Sequence, residues 1–346
     1  MQMNTSNVIH YHSAYGISIH SGEDTEITSC SFQNSIGTAL GVFSTSLDLR
    51  GSNSFMNNCW RCSNRNHTCI CVGGGIHAVT SILLFKGNNT FRDSSAVNGG
   101  GISAHYSTLT FNGHSSFRNS SVEMDGGGIS AYYSTLNITG NCTFSDNSAN
   151  VDGGGIHSWY SNVTVSGNST FRNNTAKHGG GTHAQYSTLT LTRNSCFTGS
   201  SAIISGGAVM VWYSTMIIVG NITLGKNSAK EYGGGIYAFG SALNITGDIM
   251  LRNNSAKIRG GGMYVSKSTL NLTGDITFAL NNSTGTGGGV TAWHSNLKFT
   301  GTSIFRDNSA SYSGGGIDPH KSTLSMNRHN HSFRSYDSIY HFNLHV

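Results

Sequence analysis

Apolar residues along this chain alternate with polar ones in short runs, and the runs return at a fixed interval. In Ile156-His157-Ser158 and again in Val163-Thr164-Val165 every second residue is apolar or small, the two-residue period of a strand with one buried side. Aligned on the last residue of a small-residue triplet, the copies fall at Gly75, Gly101, Gly128, Gly155, Gly181, Ala208, Gly235, Gly262, Gly289 and Gly316, spaced 26 or 27 residues apart. Each copy reads GGGI-x-A, then S-T-L-x-I-x-G, then T-F-x-x-N-S-A, which predicts three short strands and three bends per period. A repeat of this length held in register ten times predicts a solenoid. The expected fold is all-β: a single-stranded parallel β-helix of about twelve coils, right-handed by the general preference of parallel crossovers.

The triple glycine excludes helical solenoids, because each glycine weakens a helix by about 1 kcal/mol relative to alanine. A leucine-rich repeat is set aside too: Leu136-Asn137-Ile138 looks like its strand, but the preceding Leu-x-x-Leu step is missing. Stacking at about 4.8 Å turns each motif position into a column. Phe91, Phe117, Phe144, Phe171, Phe197, Phe278 and Phe305 should form an interior ring column, with Leu224 and Leu251 on two rungs. Three residues later Asn147, Asn174, Asn227, Asn254, Asn281 and Asn308 should form a second column, interrupted and weakened at Ser94, Ser120 and Ser200. Asparagine suits that place because it tolerates a left-handed turn and its amide can bond the amides above and below.

Residues 1–346 read as one repeat domain, with degenerate coils over 1–58, a cysteine-rich insertion at 59–72, regular coils over 73–326 and a degenerate end at 327–346. Charged residues make up 10% of the chain and the net charge is +5. That is too dilute for a nucleic-acid footprint, which needs clustered Lys and Arg. No apolar run is long enough for a membrane helix. The start, MQMNTSNVIHYHSAYG, lacks the basic and apolar segments of a secretory signal, and the end lacks a polar cap, so a fragment of a longer extracellular or cell-surface protein is expected.

Candidate chemistry is sparse. Sixteen positions match Asn-x-Ser/Thr; Asn137, Asn162, Asn221, Asn244 and Asn271 stand out as glycosylation candidates. Asn137, Asn162, Asn244 and Asn271 lie beside inward aliphatics and should face solvent. Cys59, Cys62, Cys69 and Cys71 are disulfide candidates, preferred over a zinc site in a chain that reads as secreted. Their pairing is left open by spacing.

Two stripes flank the inward residues of the first strand. One includes His77, Ser130, His157, His183, Met210, Tyr237 and Tyr264; the other includes His105, Tyr132, Trp159, Trp212, Phe239 and Trp293. Rings at this density mark a candidate binding surface for glycans or a protein, and the residues singled out are Tyr132, Trp159, Trp212, Phe239, Trp293, His157 and His183. The bland alternative is that neighbouring rings only stabilise the sheet. No cofactor is expected. A metal shared by His157 and His183 is set aside because no cysteine or carboxylate was placed in register with them. The enzymatic alternative is a polysaccharide lyase or hydrolase, which needs paired carboxylates. Asp125 and Asp152 occupy equivalent turns and Asp318 lies near the end, but turn aspartates are commonplace.

GGGI, or GGAV at Gly206 to Val209, followed by F-x-x-N as in Phe171 to Asn174, resembles the repeat of the chlamydial polymorphic outer-membrane proteins, and more loosely the pectate-lyase-like β-helices. The resemblance covers nearly the whole chain. It implies a right-handed β-helix of the pectin-lyase type, an extracellular or cell-surface location and, in the bacterial family, adhesion; glycans or cell-surface or matrix proteins are expected as partners of the aromatic stripe, and the scarcity of carboxylates on the outward stripes sets catalysis aside. Two departures matter: that family favours GGA over GGG, and its C-terminal barrel is absent here. The glycosylation matches lean toward a eukaryotic secreted version.

Overall fold

The computed structural model describes residues 2–4, 15–20, 24–59, 71–326 and 331–336. Among these the regular elements are all β-strands, and every strand pairing is parallel. The chain divides into two compact units, Met1–Thr170 and Phe171–Val346.

In the first unit the first strand of each coil lies in one sheet, in the order Tyr15–Ile19, Thr38–Phe43, Ile76–Val79, Ile102–His105, Ile129–Tyr132 and Ile156–Trp159. This sheet is face one. The second strands form face two, from Thr25–Thr28 through Ser46–Arg50, Ile82–Phe85, Thr108–Phe111 and Thr135–Ile138 to Asn162–Val165. Face three stacks Ser31–Gln33, Ser52–Met56, Asn88–Arg92, Ser115–Arg118 and Cys142–Ser145. The second unit repeats the plan. Its face one runs Thr182–Gln185, Val209–Trp212, Ile236–Phe239, Met263–Ser266, Val290–Trp293 and Ile317–His320. Each unit is thus a parallel β-solenoid, the all-β fold expected from the period.

The phenylalanine column forms as expected. In the first unit Phe32, Phe55, Phe91, Phe117 and Phe144 stack with centroids 4.7 to 4.8 Å apart and planes within 5°. A shorter column, Phe85 on Phe111, lies beside it at 4.2 Å. In the second unit Phe171 stacks on Phe197 at 4.4 Å and Phe278 on Phe305 at 4.8 Å, while Leu224 and Leu251 hold the rungs between, fully buried. The third glycine of the triplet faces this column: a Cβ on Gly128 would lie 2.8 Å from Phe144 Cδ1. Ala208 is accommodated where the residue at the equivalent column position is Leu224 rather than a ring.

The asparagine column is buried and continuous from Asn227 to Asn308. The Nδ2 atoms of Asn227, Asn254 and Asn281 each donate to the Oδ1 of the next, at 2.9 to 3.0 Å. At the interrupting serines the backbone link persists, since Ser120 Oγ and Ser200 Oγ accept the backbone N–H groups of Ser94 and Asn174. One expectation is corrected: the left-handed residue is the one before the column, as in Asp146 (φ 57°) and Asn253 (φ 55°), because the column asparagine must turn inward to reach its neighbours. A third ladder follows face one, where Ser107 N–H donates to Ser134 Oγ and Ser134 N–H to Ser161 Oγ at 3.0 and 2.9 Å. Cys59 and Cys71 form a disulfide, with Cα atoms 6.2 Å apart. Cys62 and Cys69 lie outside the described residues.

Candidate functional site

Alternation along a strand should leave one side of face one in water. Instead, three of the four residues in a face-one strand are buried, as in Ile129–Tyr132 and Ile236–Phe239. His157 and His183 are each only 3% exposed, and Tyr237 and Tyr264 are 8% and 6% exposed. The expected solvated stripe is therefore covered, and the cover is the segment just before the glycine triplet.

The first glycine explains how the cover forms. Gly126 has φ +69°, and a Cβ there would lie 2.3 Å from Ile129 O, so the chain doubles back over the strand it is about to enter. The covering segments make their own ladder. In the first unit Met124 N–H donates to Val97 O and Gly126 N–H to Asp152 O; in the second, single bridges join Ser205 to Tyr232, Tyr232 to Arg259, Arg259 to Thr286 and Thr286 to Ser313. Side chains pin the cover down. Tyr132 Oη donates to Asp125 Oδ2 at 2.6 Å, and Thr291 Oγ1 donates to Thr286 O at 2.8 Å. Desolvation first, then the Asp125 charge, push the Tyr132 phenol far above its ordinary range.

In the first unit the predicted residues Tyr132, Trp159 and His157 come together. Tyr132 stacks on His105 at 5.0 Å and meets Trp159 edge-on at 5.3 Å and His157 at 5.5 Å. His157 lies beneath the cover, its Nδ1 3.8 Å from Asp125 Oδ2. Asp125 is itself 6% exposed and its Oδ1 accepts the Asp152 N–H at 3.1 Å, so this carboxylate serves as a clasp for the cover.

In the second unit Trp212 stacks on Phe239 at 4.6 Å, and Lys267 Nζ lies 5.4 Å from the centre of the Phe239 ring. Trp293 is sandwiched between His320 at 4.1 Å and the Arg259 guanidinium at 4.7 Å. All three rings pack on a second apolar cluster, Met210, Tyr237 and Tyr264, which lies between cover and sheet and outside the solenoid core. His183 is buried in the same sheet. Each of these rings meets at least one ring or cation neighbour, and Tyr132, Trp159, Trp212, Phe239 and Trp293 are all half-buried.

Of the glycosylation candidates, Asn162, Asn221 and Asn244 are exposed and Asn137 and Asn271 half-buried; Asn271 Nδ2 donates to Asn244 Oδ1 at 2.9 Å. An open groove of about 490 Å³ lies on the third corner of the first unit, lined by Arg92, Asp93, Arg118, Asn119 and Asp146. The residues that sequence reasoning missed are Tyr106, Tyr133 and Tyr160 in the first unit and Tyr186 and Tyr213 in the second, all exposed at the corner after face one. Their signal was present, a tyrosine directly before the repeat serine in five successive coils, but it falls outside the alternation.

Among curated proteins none matches the chain. A solved structure titled "Crystal structure of TibC-catalyzed hyper-glycosylated TibA55-350 fragment" aligns over 92% of this chain and 98% of its own, at 17% identity and a TM-score of 0.29. Residues 141–158, which carry both Phe144 to Asn147 and Gly153 to Ile156, match the Chlamydia polymorphic membrane protein repeat.

Proposed function

We propose that this chain is a non-catalytic, surface-exposed repeat module for adhesion or scaffolding outside the cell. Its partner is a glycan or a cell-surface or matrix protein, met along the half-buried rings of face one: Tyr132 and Trp159 in the first unit, Trp212, Phe239 and Trp293 in the second. His157 and His183 act beneath the cover by fixing the sheet under those rings. The observation that carries the reading is the coincidence of a Chlamydia polymorphic membrane protein repeat with a solenoid whose rings are held rigid at its surface. Rigid, half-buried rings give contact area at little entropic cost on binding. Exposure of Asn162, Asn221 and Asn244 is consistent with glycan attachment in a secreted setting.

Binding to a glycan array and to immobilised matrix protein tests the proposal, comparing the parent chain with Trp159→Ala combined with Trp212→Ala. Loss of binding with the fold intact supports it, and unchanged binding removes the surface. Incubation with acidic and neutral polysaccharides tests the enzymatic alternative: new reducing ends or unsaturated products that disappear in Asp152→Asn would replace adhesion with catalysis.

A further inference from the structure

The corner after face one is left-handed from Ser44 to Lys321, and in five successive coils the residue there is tyrosine. Tyr106, Tyr133 and Tyr160 have φ of 51°, 48° and 46°, and Tyr186 and Tyr213 have 49° and 45°. Bulky side chains rarely adopt this left-handed conformation. At the corner after face three of the first unit, the same conformation is taken by Asn34, Asn57, Asp93, Asn119 and Asp146, residue types that enter it readily. Ser44, Thr80, Gly240, Lys267, His294 and Lys321 hold the same corner in other coils, at φ from 48° to 59°. Burial does not explain the choice, since Tyr106, Tyr133 and Tyr160 are 62%, 45% and 47% exposed. The conformation is set by the coil whatever the residue, so what singles out these coils is an exposed phenol repeated at one position.

The rings form a ladder. Tyr106 stacks on Tyr133 and Tyr133 on Tyr160, each pair 5.1 Å between centroids with planes within 8°. In the second unit Tyr186 and Tyr213 stack at 5.8 Å. Stacking alone would be served by phenylalanine, yet all five residues are tyrosine.

We propose that Tyr106, Tyr133 and Tyr160 are a site of oxidative cross-linking, in which hydrogen peroxide and a haem peroxidase join neighbouring rings and staple one coil to the next. Each phenol gives up one electron and its proton. The two radicals form one bond between ring carbons ortho to the oxygens, and the hydrogens on those carbons move to the oxygens to restore both rings. Per link, two electrons and two protons leave the protein and reduce one hydrogen peroxide to two waters. The neighbours already lie face to face, so coupling needs side-chain rotation and no backbone opening. The link would be covalent between coils that hydrogen bonds and stacked side chains already join, and it needs an oxidising exterior, as the disulfide does.

The test treats the full chain with hydrogen peroxide and a haem peroxidase, then follows dityrosine fluorescence and maps linked peptides by mass spectrometry. Tyr106–Tyr133 and Tyr133–Tyr160 links should form within monomers, about tenfold or more above links to Tyr312, because held proximity raises effective concentration. Tyr312 is the fairer control for being 72% exposed and outside the ladder. Tyr133→Phe keeps the ring and the stack, so it should fold, checked by circular dichroism, and should lose both links while leaving Tyr186–Tyr213 untouched. The proposal is overturned if free tyrosine amide in the same tube is coupled while the ladder is not, if Tyr312 links are as abundant, or if links form only between chains.

Discussion

Asn254 is a residue whose removal should cost the second unit heavily for the few atoms lost. It is fully buried inside the run from Asn227 to Asn308. Its Nδ2 donates to Asn281 Oδ1 at 3.0 Å and to Leu224 O at 2.9 Å, and its Oδ1 accepts both the backbone N–H and the Nδ2 of Asn227, each at 3.0 Å. Asn254→Ala deletes all four bonds and leaves the Asn227 N–H buried without an acceptor. An orphaned buried donor costs about 1–3 kcal/mol, and each of the three other bonds contributes about 1 kcal/mol net, so the expected loss is about 4–6 kcal/mol. Asn254→Ser should cost only about 3 kcal/mol, because a serine oxygen can still take that N–H, as Ser200 Oγ takes the Asn174 N–H at 3.3 Å. Stability in a solenoid is a sum of neighbour terms, so a global melt would blur the effect. Hydrogen exchange at the Asn227 and Asn281 amides reads it locally, and a gap of about 2 kcal/mol between the variants is roughly a thirtyfold difference in protection. Equal protection in the Ala and Ser variants would refute the column as a load shared through side-chain amides.

Two further outcomes follow. Phe117, stacked on Phe91 and Phe144 at 4.7 and 4.8 Å, should lose about 3–5 kcal/mol on Phe117→Ala but less than about 1.5 kcal/mol on Phe117→Leu, since Leu224 and Leu251 fill equivalent rungs; equal urea midpoints for the two variants would contradict this. Burial, and then the charge of His105, hold His77 at about 4 against 6.5 when unfolded. The unfolded chain therefore binds the proton first, and the first unit should keep its full stability above pH 6.5 and lose up to roughly 3 kcal/mol as the pH falls toward 4. Tyr15 Oη lies 2.9 Å from His77 Nδ1, a bond the neutral ring can accept. His77→Gln should flatten that acid limb in a pH series of denaturation curves, and an unchanged slope would assign it elsewhere.

The interior of both units was legible because each inward position carries one physical demand repeated coil after coil. A ring at Phe117 requires a ring or leucine above and below, and it requires glycine at the third triplet position, so period, column and glycine all report one geometry. The disulfide was legible only in part. Spacing offered four cysteines, and Cys59 and Cys71 pair because both are tied to regular rungs, through the Cys59 N–H to Ser35 O and the Val97 N–H to Cys71 O.

The outer side of face one was not legible, for a reason that bears on function. Alternation states which residues point away from the interior; it does not state what lies beyond them. Here the covering segment does, and its residues, such as Val97-Asn98, Met124-Asp125, Glu231-Tyr232 and Ile258-Arg259, share no pattern that a period would reveal. They need none, because the cover is held by its own backbone ladder and by single contacts that differ from coil to coil: a carboxylate on Tyr132, a carbonyl on Thr291, a guanidinium over Trp293. A layer fixed by backbone is free to vary its side chains without loss of fold. Variation confined to a layer that frames the half-buried rings of face one would let the surface proposed above for binding change while the buried columns keep the coils in register.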